Sequence, residues 1–362
     1  MRLAVTLCAA LLLCTLWAGA EELTEQRSSL DASALEQTAP EELSGVDALS
    51  LSDLTDGLNR LKETVLEEAA SVVAGAVSAA GKLLLIVLLC SVAESAADAA
   101  GGMSAQAVRL CGAAGVTLTA FGDLNALVGL GKETIERLSV FTTALIPTLT
   151  TAAAASGGLT SAPARQAATL LFSNILTGLI SSVLLPLTYV YAAACVASAA
   201  MDGGRLQSLC RLLCWTITTV LTAAVLCYTG YLTIVGSAAS AADATAMKAA
   251  QMAVSGMVPV VGGILSSATE SVFAGASVLR NSIGLFGVLG VLGFCAVPFL
   301  RLGVQFLVYK LAAALSGALS DHPAARLIQE LGSVFALVMG MAGACALVTL
   351  LALISTITAV TP

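Results

Sequence analysis

Apolar residues occur along this chain in runs that are too long for the core helices of a soluble domain. An α-helix needs about 20 residues to cross the hydrocarbon core of a bilayer. Backbone polar groups find no water there, so we expect each run to be helical. The pattern predicts an all-α, polytopic transmembrane helical bundle. Six runs are clear, at residues 107–131, 138–158, 167–201, 212–236, 282–305 and 331–358.

A seventh run, at residues 69–93, is weaker. Lys82 interrupts it, and the uninterrupted part from Leu83 to Val92 is too short to cross alone. Basic residues in short loops are retained in the cytoplasm. This bias favours six full crossings over seven, with residues 69–93 lying in the interface or re-entering. It assigns Lys132, Arg137, Arg205, Arg211, Arg301, Lys310 and Arg326 to the cytoplasmic side and Arg165, Lys248 and Arg280 to the opposite side.

The polar residues gather near the start of the chain. Arg2, an apolar stretch and Ala18-Gly19-Ala20 are typical of a cleaved signal peptide over residues 1–20. Residues 21–68 carry 13 acidic side chains against three basic ones, a net of −10, within a chain whose total is −7. We expect residues 21–68 to be an acidic extracytoplasmic segment and residues 69–362 to be the transmembrane helical domain.

A leucine stripe lies within the acidic segment. Apolar residues recur there at spacings of three and four with charged residues between them, which predicts an amphipathic helix. The stripe requires a partner surface, either the protein's own membrane domain, the bilayer surface or another protein. Its members are Leu51, Leu54, Leu58, Leu61 and Val65.

Two positions predict breaks in the helices. Pro259 lies inside a helical pattern and is followed by Gly262 and Gly263, which predicts two half-helices joined by a kink, as a Pro/Gly-broken helical hairpin. Such a hairpin either re-enters the membrane near a pathway or lies on its surface. Pro186 falls within a charge-free run of 35 residues, Ala167–Met201, that must tilt or bend.

Sequence motifs for catalysis or cofactor binding do not occur in this chain. The ten cysteines lie in or beside apolar stretches, and the single histidine, His322, has no metal-ligand spacing around it. We therefore expect no metal, no cofactor, no enzyme activity and no nucleic-acid partner. Asp123 and Glu270 are ionisable residues within apolar surroundings, so they are candidates for an ion or polar pathway. A secondary transporter acting on a small solute stays an alternative.

Several motifs resemble the stage III sporulation protein AE family of endospore-forming bacteria. The likeness covers most of the chain, with the motifs in the same order and spacing. They include Ile146-Pro147 leading to Gly157-Gly158-Leu159, Val183-Leu184-Leu185-Pro186-Leu187, Val254 to Gly262, Arg280-Asn281-Ser282-Ile283-Gly284, and Tyr309 to Ala314 running to Asp321.

This resemblance implies a role in endospore formation, in the mother-cell membrane that surrounds the forespore. Members of the family belong to a multiprotein membrane complex that is thought to form a channel between the two cells. The partners implied are other membrane proteins of the sporulation complex, with the acidic segment and the leucine stripe facing the intermembrane space.

Overall fold

Long helices form almost all of the described structure, a computed structural model that describes residues 38–40, 51–99, 105–156, 161–200, 205–257, 262–319 and 323–358. The predicted signal peptide lies outside these residues. In chain order the helices are α1 (Leu51–Ala99), α2 (Ala105–Ala155), α3 (Ser161–Leu179), a π-helix (Ile180–Leu184), α4 (Leu185–Ala200), α5 (Arg205–Met257), α6 (Gly262–Leu319) and α7 (Pro323–Thr358).

The prediction of an all-α polytopic bundle is confirmed. Six helical stretches are long and apolar enough to cross a membrane, and no strand occurs within the described ranges. The continuous unit formed by α3, the π-helix and α4 counts as one of them. The other five stretches belong to α1, α2, α5, α6 and α7.

The predicted loop at Lys132–Arg137 is wrong, because α2 is one unbroken helix of 51 residues. It joins the two crossings expected at 107–131 and 138–158 and is about 76 Å long at 1.5 Å per residue. Charged residues do not end a helix, and these form two i,i+4 ion pairs, Lys132–Glu136 and Glu133–Arg137, that support it. Lys132 and Arg137 are therefore not loop residues and give no information on the orientation of the bundle in the membrane.

Residues 69–93 lie within α1, which is long and apolar enough to cross a membrane between Thr55 and Ala96. The unbroken helix leaves no re-entrant turn within residues 69–93, and an interfacial position for them stays a prediction. Lys82 does not interrupt the helix, since its side chain is exposed on the surface of α1. The helix also continues through residue 68 without a break, so the amphipathic stripe and the apolar run are parts of one rod.

Helix α7 is the centre of the bundle. In its apolar crossing stretch 61% of the residues are buried, against 11% for α5 and 17% for α1. Its stretch from residue 331 to 358 contains no charged residue. The bundle is therefore built around α7, with α2 and α6 beside it and more exposed helices outside.

Side-chain contacts fix the register of α2 against α7. The hydroxyls of Thr142 and Thr349 share a hydrogen bond of 2.9 Å across 207 residues of sequence. Gly131 abuts Val338, where an added Cβ would lie 2.1 Å from a side-chain methyl, and this pair has the same separation. The two helices thus run parallel, and each residue of α2 lies level with the residue of α7 that is 207 positions later.

Helix α6 runs antiparallel to both. Gly303 faces Met339, and Gly343 faces Phe299, which places residue 301 level with residue 341 of α7. Against α2 the approach is closest at Gly290, where an added Cβ would lie 2.3 Å from Phe141 Cζ. Small residues let helices approach closely where lipid gives no hydrophobic drive.

The run around Pro186 contains a change of helix type. Five residues, Ile180–Leu184, are π-helical, and α-helix continues on both sides. Proline lacks an amide hydrogen and disrupts the normal ladder, and a π-turn is one way of accommodating it. Whether the helix is hinged at Pro186 stays a prediction.

Candidate functional site

Asp123 of α2 lies between helices rather than in lipid. Its half-buried carboxylate accepts hydrogen bonds from Gln305 Nε2 at 2.8 Å and from the hydroxyl of Tyr309 at 3.2 Å. Both donors belong to α6, and Tyr309 is fully buried. A carboxylate at such a position is costly unless it is hydrogen-bonded, so this arrangement satisfies it. Its role in an ion pathway stays a prediction.

A second carboxylate lies at the same level. Glu330 of α7 follows Asp123 by 207 residues, which is the register separation of α2 and α7. Its Oε2 accepts a hydrogen bond of 2.5 Å from the buried Tyr191 of α4. We call Asp123, Gln305, Tyr309, Glu330 and Tyr191 the polar layer, since four different helices contribute them at one height of the bundle.

The polar layer is next to a small cavity between α4, α5 and α7. The cavity has a volume of about 40 Å³, enough for about one water molecule. Its lining includes Glu330, Arg326 and the thiols of Cys195 and Cys210. Within the described residues no group of three His, Cys, Asp or Glu side chains could hold a metal ion.

A set of exposed charges lies farther along α2. Lys132, Glu133, Glu136 and Arg137 share one face of the helix, and their side chains are 55–59% exposed. Beside them Arg301 of α6 donates a hydrogen bond of 2.7 Å to Glu68 of α1. These six residues, three acidic and three basic, are called the charged face below.

A cavity of about 300 Å³ opens at the charged face, a size at the lower end of ligand pockets. Thr64, Glu68, Glu133, Thr134 and Arg137 supply its polar lining, while Phe294, Val297 and Pro298 of α6 supply apolar walls. The charged side chains on its walls, Glu68, Glu133 and Arg137, all have an ion-pair partner within the chain.

The opposite end of the bundle buries two cationic side chains. Arg165 of α3 is 4% exposed and donates to the backbone oxygen of Ser355, and Arg280 of α6 is 3% exposed and donates to Ser156 Oγ at 3.2 Å. The sequence predicted that both arginines lie on the side of the membrane opposite the cytoplasm. The structure instead uses them to join α2, α3, α6 and α7 at the end of the bundle.

The predicted leucine stripe is divided between core and surface. Leu61 is buried and packs with Pro40 against Gly293 of α6, whereas Leu58 is 49% exposed and Val65 is half-buried. The side chains of Leu51 and Leu54 lie outside the described residues. Part of the stripe thus packs on the protein's own bundle, and docking by the rest stays a prediction.

The predicted Pro/Gly break lies between two described helices. Helix α5 ends at Met257 and α6 begins at Gly262, so Gly262 and Gly263 are the first residues of α6. Pro259 and His322 lie outside the described residues, as does the side chain of Glu270. Gln305 and Tyr309 were not identified from the sequence, although Gln305 is a polar residue inside an apolar run.

Comparison with known proteins gives a consistent result. The family model described as stage III sporulation protein AE matches residues 44–361. A curated relative, the stage III sporulation protein AE of Bacillus subtilis (strain 168), is 26% identical over 206 residues, which is 57% of this chain. The match covers 52% of that relative, about half its length. No solved structure matches the chain.

Proposed function

Since this chain belongs to the stage III sporulation protein AE family, we propose that it is a membrane-embedded subunit of a channel or secretion-like complex between mother cell and forespore. The match of the family model over residues 44–361 is the observation that carries this proposal. The six apolar helices support a place for the subunit within a membrane rather than beside one. We assign it to the mother-cell membrane around the forespore, where it is needed for spore development.

We assign partner binding to residues 21–37, which follow the predicted signal peptide. This segment holds five acidic residues and one basic residue, which suits a basic surface on a partner in the intermembrane space. The leucine stripe is a weaker choice, because Leu61 already packs on α6. Other membrane proteins of the sporulation complex are the proposed partners, and the subunit itself carries out no catalysis.

The test is co-purification from sporulating cells with a tagged copy solubilised in mild detergent. A second sample lacks residues 21–37, which leaves every described residue in place. We expect sporulation-specific membrane proteins to co-purify with the full chain and to be lost, or reduced several-fold, with the truncated one.

A length-matched control, from which the acidic charges are removed, separates length from charge. In this variant the five acidic residues between positions 21 and 37 become Asn or Gln. If charge recruits the partner, this variant behaves like the truncation. Recovery of the protein without partners in all samples would contradict membership in a complex.

A secondary transporter is the second candidate, and the polar layer is the observation that favours it. Two carboxylates, Asp123 and Glu330, lie at one height between helices, as in proton- or ion-coupled carriers. Solute uptake by proteoliposomes of the purified chain, lost in Asp123→Asn, would support this reading over the first.

A further inference from the structure

The charged face lies at a depth where lipid would be expected. The register of α2 against α7 places Lys132–Arg137 level with Met339–Ala344. Arg301, which is paired with Glu68, lies level with residue 341. All six charges are therefore beside the middle of the charge-free stretch of α7, residues 331–358.

This depth holds for every position of the bilayer within the charge-free stretch of α7. A hydrocarbon core of about 30 Å corresponds to about 20 helical residues. Any window of that length within residues 331–358 includes residues 339–344. If α7 crosses the membrane in its charge-free stretch, the charged face is at hydrocarbon depth.

The other side of the bundle at this depth is apolar. Exposed side chains there include Leu347 of α7, Ile175 of α3 and Leu226 of α5. Helix α3 with α4 and helix α5 have no charged residue from position 166 to 200 and from 212 to 242. Lipid suits this side, whereas charged residues at membrane depth almost always face the protein interior or a water-filled cavity.

We propose that the charged face of Glu68, Lys132, Glu133, Glu136, Arg137 and Arg301 lines a water-filled passage within the hydrocarbon depth of the membrane. This inference rests on the proposed channel function and assigns the passage to one face of this subunit. The side chains of the α2 charges are 55–59% exposed, so they point away from their own bundle. The cavity of about 300 Å³ beside them has room for on the order of ten water molecules.

A second copy of this chain closes the passage on its far side. The face carries three acidic and three basic side chains, so it is complementary to itself when two copies face each other. A strongly acidic or strongly basic face would instead require a partner of opposite charge. Water between the copies solvates the charges that lipid would not.

Two exposed residues make a matched pair of reporter positions. Val140 of α2 is 60% exposed and lies one turn after Glu136 and Arg137 on the charged side. Leu347 of α7 is 51% exposed and lies at the same level, 207 residues later, on the apolar side. A tryptophan at either position therefore samples the same depth but a different environment.

The experiment uses the full chain with Trp17 and Trp215 replaced by Phe, and with Val140→Trp or Leu347→Trp as the single reporter. Each variant is reconstituted in vesicles, and its helicity is checked by circular dichroism. Tryptophan fluorescence is then quenched either by aqueous iodide or by phospholipid brominated at mid-chain. We expect the iodide quenching constant to be several-fold higher for Val140→Trp than for Leu347→Trp, and the order to be reversed with brominated lipid.

Two results would overturn the proposal. Strong quenching of both reporters by brominated lipid would mean that lipid covers the charged side. Weak quenching of Leu347→Trp by brominated lipid would mean that this stretch of α7 is outside the bilayer. Neither result bears on co-purification of the complex, so failure of the passage and failure of the proposed function are separable.

Discussion

The hydrogen bond between Asp123 and Tyr309 should contribute a measurable coupling energy to the stability of the bundle. The two residues are 186 positions apart and join α2 to α6 in the polar layer. We consider Asp123→Ala, Tyr309→Phe and the double variant as a cycle, which isolates the interaction between the two side chains.

The expected coupling is about 1 kcal/mol. Hydrogen bonds to charged groups contribute about 1.5–3 kcal/mol in soluble proteins, but interhelical bonds inside membranes average about 0.6 kcal/mol with a maximum near 1.7. The O···O distance of 3.2 Å is long for a hydroxyl donor, which argues for a coupling energy between the membrane average and the membrane maximum. The full burial of Tyr309 keeps water from replacing the bond.

The assay is unfolding of the purified chain in mixed micelles by added SDS, followed by circular dichroism. A control cycle uses Tyr189→Phe and Asn125→Ala, a pair that joins α4 to α2 near the same height. That hydrogen bond is 3.4 Å long and exposed, so we expect its coupling to be below about 0.3 kcal/mol. Equal coupling in the two cycles would refute the argument that burial and the carboxylate make the polar layer strong.

Three further substitutions test the packing between helices. Gly290→Val should destabilise the bundle by about 1–3 kcal/mol, because the added side chain meets the ring of Phe141. Gly230→Val is the control: a Cβ at Gly230 meets no atom of another helix within 4 Å, so this change should alter the unfolding free energy by less than about 0.5 kcal/mol. Tyr228→Phe removes a buried 2.9 Å hydrogen bond between α5 and α3 and should cost about 0.6 kcal/mol in the same assay, and no loss would show that this bond is not formed in the membrane.

The sequence predicts the helices better than the connections between them. Long apolar runs require helices in a bilayer, which is why the all-α bundle could be predicted. The loop at Lys132–Arg137 could not be recognised as wrong, because a cluster of charges between two apolar runs has the same local pattern in a loop and on an exposed helical face. Only the packing of α2 along α7 distinguishes them.

The candidate site was predictable only in part. Asp123 is visible as an acid within an apolar run, but its donors lie 182 and 186 residues away and no local spacing connects them. Arg165 and Arg280 were assigned to loops by their charge, whereas hydrogen bonds to Ser355 and Ser156 allow both to be buried. Long-range pairing of polar groups decides these positions, and periodicity carries no information on it.

The unbroken course of α2 has a mechanical consequence. Asp123, in the first half of α2, and Ser156, the residue that follows its last turn, are 33 residues apart and thus separated by about 50 Å along one rod. If the rod tilts by about 5° about Asp123, the end at Ser156 moves sideways by about 4 Å, roughly the width of a methyl group. A stiff helix of this length would transmit a displacement caused by a partner subunit on one side of the membrane to the other side.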